Sequence, residues 1–417
     1  MPVGNFAADI ALQHEKVRPD LELMYQQDWT LWGKIKARGD VEVVAGRPTR
    51  VPMELLAGGK GRIFNPDGGN LGRGSAPQTD LYTLTPVYIE MAGEYTKKAE
   101  IDTNSKEKAI ENYVQLVNKR LMTQMNVLIE SMLAYGDGAN TLGTVASTAT
   151  NQLTVDNANQ FYDNQDIDIY ASVGGASRGT CTIQSVDAGN KQLNLTGAVP
   201  TNTTGGDVIL VNGSANAASS GLYGINYYQF NGNTGSIGGL ARSSYPGKLS
   251  TPYVAGLNKA LTPSRFRLQL AQMQIALGMD ALAEDPPVMH VSLGQQAAWE
   301  NLSLNVTVVN QQQIKGDESE DMLKKHPPRT MGGYESIPSN HAQPGRIDGL
   351  CLKCWFRVED YPIDYYEAGG QTLFSAYAGD GGLQASLLFY IVTGVQIGQA
   401  NVRKGCYSDN NPIPVGY

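Results

Sequence analysis

The stretch from Asn104 to Tyr135 reads NSKEKAIENYVQLVNKRLMTQMNVLIESMLAY. Ile110, Val114, Val117, Leu121, Met125, Leu128 and Met132 follow one another at steps of three and four, the spacing that aligns side chains along one face of an α-helix. Asn104 and Glu107 have the spacing of a capping box, with Asn in place of the usual Ser or Thr, and Gly136 supplies a C-terminal stop. This predicts a helix about 48 Å long, several times the ordinary length. Such a helix with one apolar stripe is either a beam laid across a flat structure or part of a bundle. No second stretch is comparable, so a bundle is excluded.

Towards the N-terminus, Leu21, Tyr25, Trp29 and Trp32 recur at helical spacing between Pro19 and Gly39, which predicts a helical arm in residues 1–40. Residues 41–101 read as β-structure with a loop. Val41–Val44 and Arg50–Leu55 are short strand signals, and Tyr82 to Tyr95 alternates as one further strand. Between them, residues 58–74 hold seven glycines, with Lys60, Arg62 and Arg73 against Asp67. Such a segment cannot form a core. It predicts a long β-arm with a basic tip, with nothing of its own to bury against, which gains most by lying on a neighbouring subunit. Arg50, Lys60, Arg62 and Arg73 are the candidate inter-subunit contacts.

Towards the C-terminus, residues 140–215 are rich in Gly, Asn, Thr, Asp and Ala. Short strand signals such as Ile167–Tyr170 and Asp207–Val211 are separated by turns, which predicts a small antiparallel β-barrel or sandwich inserted into another domain. Residues 216–417 read as mixed α/β. Thr262-Pro263 opens a helix closed by Gly278, residues 286–291 form a strand, and Ser292 with Gln295 caps a short helix through Leu302. Further strand signals cover 350–358, 361–366, 371–377 and 386–395.

The 417 residues are 41% hydrophobic and only 17% charged, with 47 glycines and a net charge of −8. A chain that grips nucleic acid by neutralising phosphates is ordinarily basic. Charge is unevenly spread: residues 136–240 carry 2 basic and 7 acidic side chains, against 16 and 17 in residues 1–135. Four cysteines do not make a disulfide framework. Met1–Asn5 does not read as a signal sequence, and no apolar run reaches the ~20 residues of a membrane span. A soluble protein of cytoplasmic origin is therefore expected.

Candidate chemistry is sparse. Gly175-Ala176-Ser177-Arg178-Gly179 matches G-x-S-x-G, but a nucleophile elbow needs a strand before it and a helix after it, and a strand follows here, so a hairpin turn is the expectation. Cys351 and Cys354 have C-x-x-C spacing without a second ligand pair. Leu350–Trp355 reads as a strand, which would point the two thiols to opposite faces. Glu318, Glu320 and Asp321 near Lys324, Lys325 and Arg329 read as a solvated charged loop. The abundant tyrosines fit protein-facing surfaces or, more ordinarily, β-strands. No phosphate loop is present, and no catalytic residue, cofactor-binding residue or metal ligand is assigned.

The order of segments carries a resemblance. The return from the arm at Thr85-Pro86-Val87-Tyr88-Ile89-Glu90 precedes the helix Asn104–Tyr135. Then come Gly221-Leu222-Tyr223-Gly224-Ile225, Gly239-Leu240-Ala241-Arg242-Ser243, the helix 263–278, the strand 286–291, the helix 293–302 and Met331–Ser339. This order resembles the major capsid proteins of tailed bacteriophages, over about residues 15–405.

The resemblance implies an α+β chain of the Hong Kong 97-type capsid fold. Its parts would be an N-terminal arm (1–40), an extended β-arm (41–101), the spine helix of a peripheral domain (102–139), an inserted all-β domain on the outer surface (140–215), and an axial and remaining peripheral domain (216–417). It further implies self-assembly as hexamers and pentamers into an icosahedral shell around double-stranded DNA that is bound without sequence specificity. Scaffolding, portal and decoration proteins would be further partners, with no membrane and no enzymatic role. Some relatives crosslink Lys to Asn through the arm; Lys60 lies in the tip, but no acceptor is identifiable. An encapsulin-like shell is the nearest alternative and a cellular hydrolase a more distant one.

Overall fold

The computed structural model describes residues 30–35, 48–61, 63, 73–102, 113–278, 280–310, 330–375 and 386–412. The helix expected over 21–29, the Val41–Val44 strand, Arg62, the Asn104/Glu107 cap with Ile110, and the charged loop 318–329 lie outside them.

A short helix α1 (Thr30–Lys34) is followed by the antiparallel strands β1 (Thr49–Leu56) and β2 (Gln78–Leu84), then β3 (Val87–Thr96), α2 (Lys97–Asp102) and the spine α3 (Tyr113–Tyr135). The stretch read as one strand, Tyr82 to Tyr95, is therefore two. Pro86 has no N–H to give a ladder and stands at the break. β2 pairs with β1, while β3 crosses to a different sheet.

Six strands follow: β4 (Thr141–Thr148), β5 (Gln152–Val155), β6 (Asp166–Tyr170), β7 (Ser177–Asp187), β8 (Gln192–Leu195) and β9 (Val208–Val211). They close into a barrel in the order β4-β5-β8-β7-β6-β9. Leu153, Ile167, Ile169, Ile183, Leu193 and Ile209 fill it and are fully buried. The barrel is tied to the rest of the chain. Asn157 donates its amide to the Asn340 carbonyl at 3.0 Å, and Gln160 donates to the carbonyl of His341.

Beyond the barrel come the two-residue strands β10 (Ser236–Ile237) and β11 (Leu240–Ala241), β12 (Tyr253–Ala255), α4 (Pro263–Leu277), β13 (Val288–Val291) and α5 (Leu293–Asn310). The chain continues with β14 (Thr330–Met331), β15 (Tyr334–Pro338), β16 (Ile347–Leu350), β17 (Trp355–Tyr365), β18 (Phe374–Ser375), β19 (Ser386–Gln399) and β20 (Cys406–Asp409). One mixed sheet runs β12-β20-β16-β13-β15-β14. α4 covers it with Phe266, Gln269 and Met273; Gln269 donates to Ile347 O and accepts from the Ser408 hydroxyl, both at 3.1 Å. Thr262 caps α4 and Gly278 ends it, as the sequence predicts, whereas α5 runs past Leu302 to Asn310. In the other sheet β19 is central. β3 pairs along one edge over ten residues, and β17 and β18 along the other.

The spine departs from the single-stripe expectation. Val117 and Leu121 are half-buried and Met125, Leu128 and Met132 are buried, as the stripe requires. From Val127 to Tyr135, however, every side chain is buried, Glu130 and Ser131 included. This half is enclosed by α1, β3, β4 and the helical turn Ile225–Tyr228. The carboxylate of Glu130 accepts from the backbone N–H groups of Leu31 (3.0 Å) and Trp32 (2.6 Å), which fastens α1 to the spine. The helix stops at Gly136, where a Cβ would stand 2.4 Å from the Met132 carbonyl and 2.7 Å from the Gly224 nitrogen. Gly136 and Gly224 are thus two backbones in direct contact, which accounts for Gly224 in the quoted motif.

Several of the tyrosines build the core. Tyr223 stacks on Tyr227 at 4.1 Å. Tyr228 meets Tyr227 edge-on at 5.3 Å and Trp355 at 5.4 Å, and its hydroxyl donates to the Ile397 carbonyl at 2.7 Å. Buried Tyr82, on β2, joins the same core.

Candidate assembly surfaces

The β1–β2 ribbon is the most conspicuous surface feature. β1 alternates strictly, with Val51, Met53 and Leu55 buried and Arg50, Pro52, Glu54 and Leu56 exposed. Such alternation makes one face of a ribbon apolar. Its buried face rests on the chain's own 223–245 segment. The Thr83 N–H donates to the Gly238 carbonyl at 2.8 Å, and the Tyr245 hydroxyl donates to Asp80 at 2.9 Å. The arm therefore does have something of its own to bury against. That expectation fails for the ribbon's base, because Tyr82 and Leu84 with Val51 and Met53 enter the main core.

Residues 57–61, 63 and 73–77 are all exposed, Ile63 completely. Gly58 opens the tip at φ +70°, and a Cβ there would lie 2.5 Å from the Pro77 nitrogen. The Gly59 N–H donates to the Ser75 carbonyl at 2.8 Å and closes the last rung. Of the four candidate contact residues, Arg50 stands on the outward face of the base, while Lys60 lies beyond the end of β1 and Arg73 before the start of β2, both exposed. The outward face also shows Leu56 (41% exposed) and Leu81 (49%), with Pro52 and Leu81 in register. Sequence reasoning, which singled out only the basic residues, missed these exposed apolar side chains; the signal was available in the same alternation.

The other candidate chemistry resolves into structure. Gly175 closes the β6–β7 hairpin by donating to the Ser172 carbonyl at 2.8 Å, and Ser177 begins a strand, so the G-x-S-x-G match is a turn. The strand expected over Leu350–Trp355 is a correction. A 3-10 turn at Leu352–Cys354 breaks it, closed by the Cys354 N–H on the Cys351 carbonyl at 2.9 Å. Both thiols consequently turn to one residue: Cys351 donates to the Asp285 carbonyl (3.3 Å) and Cys354 to its carboxylate (3.5 Å). Burial pushes the Cys351 thiol up strongly, that of Cys354 to about 11 and that of Cys406 to about 12. Thiols so shifted are poor nucleophiles at neutral pH. Among the described residues, no group of three His, Cys, Asp or Glu could hold a metal ion, and no helix is long and apolar enough to cross a membrane.

No family model matches the sequence, and no curated protein matches it. Solved structures do. A chain of the cyanophage A-1(L) capsid asymmetric unit aligns over 95% of this chain and 97% of its own, at 13% identity and TM-score 0.61. The capsid of a native GTA particle aligns over 96% and 95%, at 11% identity and TM-score 0.50. An encapsulin of Synechococcus elongatus aligns over 100% and 99%, at 11% identity and TM-score 0.43. The first two matches give the chain the mixed helix-and-sheet fold of these capsid proteins.

Proposed function

We propose that this chain is the major capsid protein of a tailed bacteriophage, assembling as hexamers and pentamers into the icosahedral head that encloses double-stranded DNA. The observation that carries the reading is the end-to-end match to a cyanophage capsid chain: 95% of one aligns on 97% of the other. The exposed ribbon tip and outward apolar face support it, because they gain burial only against another chain. Net charge −8 suits a wall that encloses DNA without gripping it. Scaffolding, portal and decoration proteins are the further partners, and host cytoplasm is the place of assembly.

The test is to express the full chain, sediment it and image the fast fraction by electron microscopy. Icosahedral particles are expected, with nuclease-protected DNA when they are taken from infected cells. Particles holding a packaged protein and no nucleic acid would favour the encapsulin-like alternative. A stable monomer at every concentration would refute a shell.

A further inference from the structure

The sequence holds two Asn-Gly pairs, Asn212-Gly213 and Asn231-Gly232. An asparagine before glycine can lose its side-chain amide, because the glycine nitrogen, unshielded by any Cβ, reaches the asparagine side-chain carbonyl. That nitrogen attacks only after giving up its proton, so whatever holds the glycine N–H governs the rate. Both asparagines are exposed, and solvent access does not separate them. The acceptor does. The Gly213 N–H donates to the buried carboxylate of Asp168 at 3.0 Å, and the Thr180 hydroxyl holds that carboxylate at 2.6 Å. A negative oxygen there both retains the proton and opposes the charge left when it departs.

At the second pair, among the described residues, the Gly232 N–H has no acceptor and the Asn231 side chain has no hydrogen-bond partner. The flanks are nonetheless held. The Asn231 N–H donates to the Tyr407 hydroxyl at 3.0 Å, the Thr251 N–H donates to the Phe230 carbonyl at 3.1 Å, and the Gly247 N–H donates to the Asn233 side-chain oxygen at 3.2 Å. A Cβ at position 232 would stand 2.6 Å from the Phe230 ring, so packing itself favours the reactive dipeptide. We propose that Asn231 is a site of spontaneous covalent modification, and that Asp168 protects Asn212 from the same reaction. The Gly232 nitrogen, its proton given to solvent base, attacks the side-chain carbonyl carbon of Asn231. The new C–N bond closes a succinimide ring, and the amide nitrogen takes a proton from water and leaves as ammonia. Water then opens the ring at either carbonyl, leaving aspartate or isoaspartate, with no change of oxidation state. The product adds a negative charge and, as isoaspartate, an extra main-chain carbon beside the Tyr407 anchor. It is a one-way record of the time since a subunit folded.

Two experiments test it on the full chain. In the first, the folded protein is held in warm, mildly alkaline buffer, and peptide mass spectrometry follows the amide-to-acid mass gain and the separate elution of aspartate and isoaspartate peptides. Asn231 should convert roughly tenfold or more faster than Asn212, the factor expected from one charge-assisted hydrogen bond. In guanidinium-denatured chain the two rates should converge to within a few-fold. Asn212 keeping pace in the folded protein, or Asn231 staying intact there while the denatured chain converts, would overturn the assignment. An equal rate difference in the denatured chain would trace it to local sequence and overturn the role of Asp168. In the second, Asp168→Ala should bring the Asn212 rate up towards that of Asn231 and leave Asn231 unchanged. An unchanged Asn212 rate in a variant that keeps the parental circular dichroism would overturn the protection. The first experiment needs no variant, so it decides the matter even if Asp168→Ala fails to fold.

Discussion

The barrel and the ribbon are both antiparallel β-structure from one chain, and they solve the edge problem in opposite ways. The barrel gives each of its six strands two neighbours, so none of its strands is left as an edge. Its core is fully buried, and no large hydrophobic of residues 141–211 is exposed. The ribbon has two strands, each with one partner among the described residues, and shows Leu56, Ile63 and Leu81 to solvent. Two strands alone are marginally stable, and this pair persists because its inner face joins the main core. One unit is finished within the subunit; the other is finished only halfway. A shell protein needs both, since finished surfaces can face water and unfinished ones can meet copies.

The contrast can be broken most severely at the tip. Deleting residues 58–74 should abolish sedimentable particles while the subunit keeps its circular dichroism and a melting temperature within a few degrees of the parent. Assembly by the deleted chain would remove the ribbon from the account. Next comes the barrel's interior. Ile167→Ala empties a fully buried site, and at about 2–5 kcal/mol it should open the barrel locally, read as lost hydrogen-exchange protection over 141–211. Particles should still form; their loss would mean that the barrel is part of the assembly machinery.

A smaller effect is expected on the ribbon's outward face. Leu81→Ser should change subunit stability by no more than about 0.5 kcal/mol, as for a surface site, yet weaken assembly several-fold. Equal sensitivity of both measurements would place Leu81 in the subunit's own core.

The smallest effect concerns acid and the barrel alone. Burial would raise the Asp207 carboxyl, but the Thr204 N–H and the Arg178 guanidinium outweigh it and hold the group below the usual carboxylate range. Its stabilising contribution is therefore whole above the unfolded value of about 3.9 and is lost as pH falls through the lower folded value. Asp207→Asn should flatten the barrel's acid sensitivity below about pH 4 and leave the ribbon unaffected. An unchanged acid profile would show that the group does not matter.

Much of this was legible in sequence because it is local. The alternation of Arg50–Leu55, the cap Thr262-Pro263 and the stop at Gly278 are each decided within a few residues, and the turn-separated strands of 140–215 announce a small β-unit. What was missed depends on distant partners. Glu130 reads as an ordinary solvated residue of an amphipathic helix until Leu31 and Trp32, almost a hundred residues away, bring it two N–H groups. The enclosed half of the spine was hidden for the same reason, since periodicity reports one apolar face and not what packs on the others. Cys351 and Cys354 were misplaced because a 3-10 turn of Leu-Lys-Cys has no breaker residue to mark it.

A cryo-electron microscopy reconstruction of the assembled particle tests the central claim most directly. The account predicts density for the ribbon tip, residues 57–77, seated on an adjacent subunit, with the barrel reaching solvent and touching no neighbour through its walls. A ribbon folded back on its own subunit, with barrels forming the contacts between copies, would contradict it.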